Sequence, residues 1–292
     1  MPETQNRMDG KTVLITGGSG GIGLVAARRL AERGAHVVIA GRRRDRGDAA
    51  IAEIRTGAPD ASVQFLAADL SRRDEVRRLA DTVADRCERL DVLINNAGVM
   101  VGRRTLTADG IEMTFAVNHL APFLLTHLLL PKLAAAASEA TRARIVVVAS
   151  RAHQGVKLDF ADLQAERRYV GWFVYKRSKL ANLYFTYALA RRLDASKVTV
   201  NALHPGFVAT DIGTAHGFLP GPLWSLASRL AISPEEGAST IVHLAAAPEV
   251  ANAHGEYFVK CRPARSSEIS RDPDAAERLW TESVRLTGTA EA

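Results

Sequence analysis

Cysteine is nearly absent from this chain of 292 residues: Cys87 and Cys261 are the two present, far apart and outside any metal-ligand or redox spacing. A disulfide framework is excluded, no metal site is expected, and both thiols are read as reduced. Aromatic residues make up only 6% and do not interleave with basic ones, so the net charge of +6 does not describe a single-strand nucleic-acid platform, and no nucleic-acid partner is expected. No stretch reaches the roughly 18 apolar residues that a bilayer span requires, and polar Met1 to Asp9 resembles neither a signal peptide nor an anchor. The expectation is a cytoplasmic protein with no membrane partner. No Pro/Gly/Ser-rich linker divides the sequence, and 47% hydrophobic content suffices for one large α/β domain over residues 10–281, with disordered ends at 1–9 and 282–292.

What is present is alternation. Apolar runs predict strands at Val13 to Thr16, His36 to Ala40, Val63 to Ala67, Val92 to Asn95, Ile145 to Ala149, Val198 to Leu203 and Glu256 to Val259. Between them, helical patterns predict Ile22 to Arg33, Asp45 to Thr56, Arg72 to Glu88, Thr107 to Ala137 with a bend at Pro122, Trp172 to Asp194 and Pro234 to Ala246. Ser233-Pro234-Glu235-Glu236 combines a side-chain cap, a first-turn proline and acids at the positive end of the dipole. The pattern defines a single Rossmann-type doubly wound domain: a seven-stranded parallel sheet flanked by helices.

Ligands of such sheets bind beyond the carboxyl ends of the strands, and polar or glycine residues follow six of them. Gly17 follows the first strand, Arg42 the second, Asp69 the third, Asn96-Ala97-Gly98 the fourth, Ser150 the fifth and His204-Pro205-Gly206 the sixth. The first of these opens Gly17-Gly18-Ser19-Gly20-Gly21-Ile22-Gly23, a strand-to-helix turn whose glycines let a pyrophosphate approach the helix amides. Tyr175 and Lys179 stand four residues apart on one helix face, as a proton-donating unit for hydride transfer requires.

These motifs resemble the short-chain dehydrogenase/reductases from about Lys11 to Val259: Thr16-Gly17-x-x-x-Gly21-x-Gly23, Asp69-Leu70, Asn95-Asn96-Ala97-Gly98, Asn118, Ser150, Tyr175-x-x-x-Lys179 and Pro205-Gly206-x-Val208-x-Thr210. Within that family, Val99-Met100, Asn118-His119-Leu120, Ser150-Arg151-Ala152-His153 and Ser178-Lys179-Leu180-Ala181-Asn182 are similar to the retinol-dehydrogenase and WW-domain-oxidoreductase-like branch. The resemblance implies that Asn118 orders a water beside Lys179 and that Asp69 accepts from the adenine amino group. It also implies that the Asn96 to Gly98 backbone passes the adenosine ribose, and that Val208 and Thr210 hold the carboxamide.

Carbonyl reduction needs a hydride and a proton, and a tyrosine of pKa about 10 serves near neutrality only if that value falls. Lys179 and an oxidised nicotinamide would lower it, while Ser150 would hold the substrate oxygen beside Tyr175. At the cofactor-discriminating position the chain reads Ala40-Gly41-Arg42-Arg43, with no acid, which predicts NADP(H) with Arg42 on the 2′-phosphate and Arg43 as helper. The segment from Phe207 to Ile232 is expected to be an apolar lid favouring a small lipophilic carbonyl or alcohol substrate. His153, His204 and His216 are candidates for reaching that substrate. Residues 154–170 resemble an insertion in the same branch, which either borders the substrate mouth or alters subunit packing. A homodimer through the two long helices is the expected assembly. Two other readings are a catalytically silent dinucleotide sensor and a C=C reductase of the protochlorophyllide-reductase type.

Overall fold

The computed structural model describes residues 7–207 and 232–290. Val208, Thr210, His216 and nearly all of the expected lid lie outside the described residues. Strands β1 (Thr12–Thr16), β2 (His36–Gly41), β3 (Val63–Ala67), β4 (Val92–Asn95), β5 (Ala143–Val148), β6 (Val198–His204) and β7 (Glu256–Val259) run parallel in the order β3-β2-β1-β4-β5-β6-β7. An eighth strand, β8 (Arg262–Ala264), returns antiparallel along the β7 edge. It escapes sequence reading because its residues are all exposed and its turn uses Lys260 and Cys261 at φ of 51° and 59°, where a glycine or asparagine signal would be expected.

The strands are apolar because both faces are covered. Val13 and Ile15 point toward helices Gly21–Ala31, Arg44–Gly57 and Pro234–Ala246, and Leu14 points toward helices Arg73–Arg86, Met113–Ala136, Gly171–Arg192 and Pro273–Thr287. Chain order reverses between β1 and β4, so a crevice opens at their carboxyl ends.

Four expectations need correction. The helix expected from Thr107 begins at Met113, where the buried Glu112 carboxylate accepts from the amides of Thr114 and Phe115. Its irregularity is a π turn over Ala116–Leu120 rather than a bend at Pro122, which sits harmlessly in the first turn of Ala121–Ala136. That helix, Met113–Ala136, is long and apolar enough to cross a membrane by length and composition, although the sequence appeared to hold no such stretch; most of it is buried in the fold as a core helix. The ends are more ordered than expected. Met8 is buried and its amide donates to Arg33 O at 2.8 Å, while helix Pro273–Thr287 runs into the supposed tail with Ser283 and Thr287 buried and Gly288 as a left-handed cap.

That last helix covers both long helices expected to form a dimer interface. Trp280 packs its ring against Phe123 and His127, at centroid distances of 5.0 and 5.1 Å, and under the Arg192 guanidinium at 4.1 Å. Glu277 pairs with Arg191 and Arg192, and the Ser283 hydroxyl accepts from His119 Nε2 at 2.8 Å. Trp280→Ala should therefore cost about 3–5 kcal/mol, read as a lowered urea midpoint with an unchanged slope.

Candidate active site

The crevice is stitched together by two side chains that sequence reading treated only as motif letters. The Thr16 hydroxyl at the end of β1 accepts from the Asn96 and Ala97 amides at 3.0 and 3.1 Å and donates to Ile94 O at 3.3 Å. The Asn96 amide nitrogen donates to Thr16 O and Gly17 O at 2.8 and 3.2 Å. Asn96 thus acts through its side chain, locking the loop after β4 to the glycine turn. The approach is so close that a Cβ on Gly23 would stand 2.4 Å from Gly17 O and 2.5 Å from the Asn96 nitrogen. Gly17 and Gly21 take positive φ, 68° and 54°.

The turn fits a dinucleotide pyrophosphate. Helix Gly21–Ala31 has no capping side chain and no acid in its first turn, so the amides around Ile22 and Gly23 remain available to an anion, and beside Gly20 the space is open. Ser19 lies against Gly41 at the end of β2, where the arginine cluster begins. Two of its three members are engaged: Arg43 forks onto Asp45, and Arg44 lies 6.0 Å from the Phe65 ring centroid. Arg42 is exposed and makes no ion pair among the described residues. Asp69 spends one carboxylate oxygen on the Ser71 amide and hydroxyl, at 3.0 and 2.8 Å, and Leu70 follows it at the crevice side of helix Arg73–Arg86. Pro205 and Gly206 leave β6 half-buried, and the flanking Phe207 carbonyl accepts from the Ile232 amide at 2.8 Å.

Helix Gly171–Arg192, which bears Tyr175 and Lys179, can begin where it does because Gly171 lacks a side chain: a Cβ there would stand 2.3 Å from Val101 O. Residues 154–170 fix this junction. Tyr169 donates its hydroxyl to Val101 O at 2.8 Å, Gln164 Oε1 accepts from the Glu112 amide at 3.0 Å, and Arg104 Nε donates to Gln164 O at 3.1 Å. The insertion therefore binds the loop after β4 to the start of that helix.

Asn118, Ser150, Tyr175 and Lys179 converge. Lys179, 3% exposed, donates from Nζ to Val148 O at 2.9 Å, and Asn118, fully buried in the π turn, grips Val99 through both amide and carbonyl, at 2.7 and 2.9 Å. Asn118 also donates to Ser178 Oγ at 2.9 Å, which donates to Tyr175 O at 2.8 Å. Gly98 lies flush against both Asn118 and Lys179; a Cβ there would stand 3.5 Å from Oδ1 of the one and Nζ of the other. Burial pushes the Tyr175 phenol up to about 12, opposed by a hydrogen bond from Ser150, and burial pulls the Lys179 ammonium down to about 8. The lowering expected from Lys179 does not oppose this burial in the present geometry: the ammonium, 5.7 Å from the Tyr175 ring centroid, is turned to the Val148 carbonyl. His153 serves structure: Nδ1 donates to Ser150 O at 2.6 Å and Nε2 accepts from the Ser267 amide at 3.1 Å. His204 is half-buried, with a buried Nδ1 lacking a partner among the described residues, and burial holds its imidazole down at about 4. A cleft of about 560 Å³ beside Tyr187 and Arg271 lies some 18 Å along the same helix from Tyr175, too far to be the reaction site.

Residues 11–217 match the short chain dehydrogenase family, and the chain belongs to it. Among the family's members it falls in the retinol-dehydrogenase-like branch. It is 42% identical to mouse retinol dehydrogenase 12, over 98% of this chain and 89% of that protein, and 41% identical to human retinol dehydrogenase 13, over 96% and 85%. Its fold matches that of a solved protein from Mycobacterium paratuberculosis (33% identity, 99% and 98% covered, TM-score 0.78). It also matches Pseudomonas aeruginosa RhlG, solved with NADP at its active site (27%, 88% and 97%, TM-score 0.71). The protein is an oxidoreductase that uses a nicotinamide dinucleotide, whose bound form supplies or accepts the hydride.

Lys179 makes the site a source of pH-dependent stability. Its pKa falls from 10.5 to about 8 on folding, so across that window the folded chain releases a proton that the unfolded chain retains, and stability rises with pH. Below about 8 both states are protonated and this contribution is flat. In cofactor-free protein, the urea midpoint of wild type minus that of Lys179→Met should climb between pH 8 and 10.5; parallel profiles would contradict a buried, depressed lysine.

Proposed function

We propose that the protein is an NADP(H)-dependent oxidoreductase that interconverts a carbonyl and an alcohol on a small lipophilic molecule, with Tyr175 as general acid and base. The observation that carries this reading is the Ser150 hydroxyl hydrogen-bonded to the Tyr175 phenol, with the buried Lys179 ammonium 5.7 Å from the centre of the same ring. In reduction, Ser150 holds the carbonyl oxygen and Tyr175 passes it a proton, while a bound nicotinamide would supply the hydride to the carbonyl carbon. Lys179 keeps positive charge beside the tyrosinate that remains, and the oxidised nicotinamide adds to that charge. Asn118 holds the π turn and Val99 in place, so that the lysine has one position to occupy.

NADP(H) is supported by the local economy of charge after β2. With Arg43 held by Asp45 and Arg44 against Phe65, Arg42 is left to meet a 2′-phosphate, and no carboxylate in Ala40-Gly41-Arg42 would repel one. A lipophilic substrate is supported by the retinol dehydrogenases it resembles and by Trp172, Phe173 and Phe207, exposed by 39, 50 and 51% around the mouth of the site. Assembly through the two long helices is disfavoured by the helix Pro273–Thr287 that covers them, and we read the chain as a monomer at that face.

Tyr175→Phe should lower turnover by roughly 10²–10⁴-fold while leaving the dissociation constant for NADPH, measured by fluorescence titration, within about twofold of wild type. Retained turnover would overturn the acid–base role. Arg42→Ala should weaken NADPH by about tenfold or more, the worth of a charge-assisted contact of about 1.5–3 kcal/mol, and leave NADH unchanged; equal loss of both would remove Arg42 from the phosphate.

A further inference from the structure

The cleft of about 560 Å³ beside Tyr187 and Arg271 plays no part in the reaction proposed above. It opens between helix Gly171–Arg192, the start of β7 and the chain from β8 to the last helix, and its volume falls in the range of small-molecule sites. Most polar groups in its lining already have partners. Arg191 pairs with Glu277 at 2.8 Å, and the Tyr187 and Ser266 hydroxyls bond each other at 2.7 Å. His254 accepts from the Val200 amide through Nδ1 and donates to Ala190 O through Nε2, at 3.4 and 2.8 Å. Asp272 holds the amides of Asp274 and Ala275, and Glu256, one residue before Tyr257 in β7, turns its carboxylate to the opposite face of the sheet. Three groups remain. Arg265 and Arg271 are exposed and make no hydrogen bond or ion pair among the described residues. Tyr257, 4% exposed, lies deeper, and its hydroxyl is buried with no partner among the described residues.

An unmade hydrogen bond at a buried hydroxyl costs stability, and two unpaired guanidinium groups leave the cleft with an excess of positive charge over the one carboxylate of Asp272. Arginine can only donate, and a phenol beside two cations is best used as a donor, so a ligand must bring acceptor oxygens and negative charge. A phosphate monoester brings both, with three terminal oxygens and a charge approaching two. A bare phosphate ion would leave most of the cleft to water, whereas the Tyr187 ring, Ala190 and Ala264 offer an apolar wall to an organic body. We propose that this cleft is a second binding site, for the phosphate monoester of a small aromatic or apolar alcohol. Arg265 and Arg271 grip the phosphate at the rim, and the Tyr257 hydroxyl donates to one of its oxygens at the floor. Nothing in this assignment depends on the reaction at Tyr175, about 18 Å away along the same helix.

The test is calorimetric titration of 1-naphthyl phosphate into the full chain saturated with NADPH, so that the dinucleotide crevice is filled. Wild type should bind one equivalent, about tenfold or more tightly than it binds 1-naphthoate, which offers less charge and fewer oxygens, or inorganic phosphate, which lacks the body. Arg265→Ala and Arg271→Ala should each weaken 1-naphthyl phosphate by about tenfold or more, the usual worth of a hydrogen bond to a charged group. Tyr257→Phe should weaken it by about fivefold and yet raise the urea midpoint of the ligand-free protein, because it removes a hydroxyl that nothing satisfies. A tyrosine with a purely structural role would not give these opposite signs. The NADPH dissociation constant should stay unchanged in all three variants. Absence of saturable binding, binding that the three substitutions leave unchanged, or 1-naphthoate bound as tightly as the phosphate would each overturn the assignment. Since binding alone is read, any of these results leaves the oxidoreductase reading intact, and a failure of turnover leaves the second site intact.

Discussion

An ammonium group with almost no access to water is the constraint around which this molecule is organised. Lys179 gives up most of its hydration for one hydrogen bond to the Val148 carbonyl, a poor exchange that lowers its pKa and costs stability while it is charged. A lysine in that position tolerates few neighbours. Gly98 brings the chain after β4 against it, and Asn118 closes the other side with hydrogen bonds to both the amide and the carbonyl of Val99. The π turn is what brings Asn118 inward: an extra residue in one turn of Met113–Ala136 rotates it off the regular helical face and into the site. The proposed role of a charge beside the Tyr175 phenol would account for a lysine kept where it costs stability.

The second requirement is that several strand ends keep fixed relative positions although no strand pairing extends that far. Parallel pairing stops at Ile15–Ile94, and beyond it the Thr16 hydroxyl and the Asn96 side chain continue the connection. This places the glycine turn, the helix amides and the loop bearing Gly98 in one rigid unit, so a pyrophosphate at Gly17 to Gly23 and chemistry at Lys179 are registered to each other. A side chain at Gly23 would enter the Gly17 carbonyl, so the third motif glycine leaves no room for a larger residue.

Much of this was legible in the sequence because each part is local. Strands β3, β4 and β7 and the helix Pro234–Ala246 fall on the expected bounds, since apolar runs between turn residues, and a Ser-Pro-Glu-Glu start, act over a few residues. The site residues were legible for a related reason: strand ends concentrate function in a doubly wound sheet. What stayed hidden depends on contacts distant in sequence. Thr107 has the look of a helix start, but its hydroxyl accepts from the Asp109 and Ile111 amides in a turn, and the true cap is Glu112, a buried carboxylate that no capping pattern would select. Helix Pro273–Thr287, which runs into the tail expected at 282–292, gives no sequence signal because its apolar residues are sparse; its stability comes from Trp280, Glu277 and Ser283 meeting groups about 90 to 160 residues earlier.

The same distant contacts reach the chemistry. His153 looks from the sequence like a residue that could touch substrate, yet both its ring nitrogens are used, one on the Ser150 carbonyl and the other on the Ser267 amide. With Nδ1 donating and Nε2 accepting, only the neutral ring satisfies both partners, and burial lowers its pKa in agreement. The backbone of Ser150 is therefore positioned by a segment that lies beyond β8, and that segment is tied to helix Gly171–Arg192 by the hydrogen bond between Ser266 and the Tyr187 hydroxyl. With the Ser150 carbonyl fixed from behind by His153 and His153 fixed by the Ser267 amide, a segment remote from every recognisable motif takes part in positioning the end of β5.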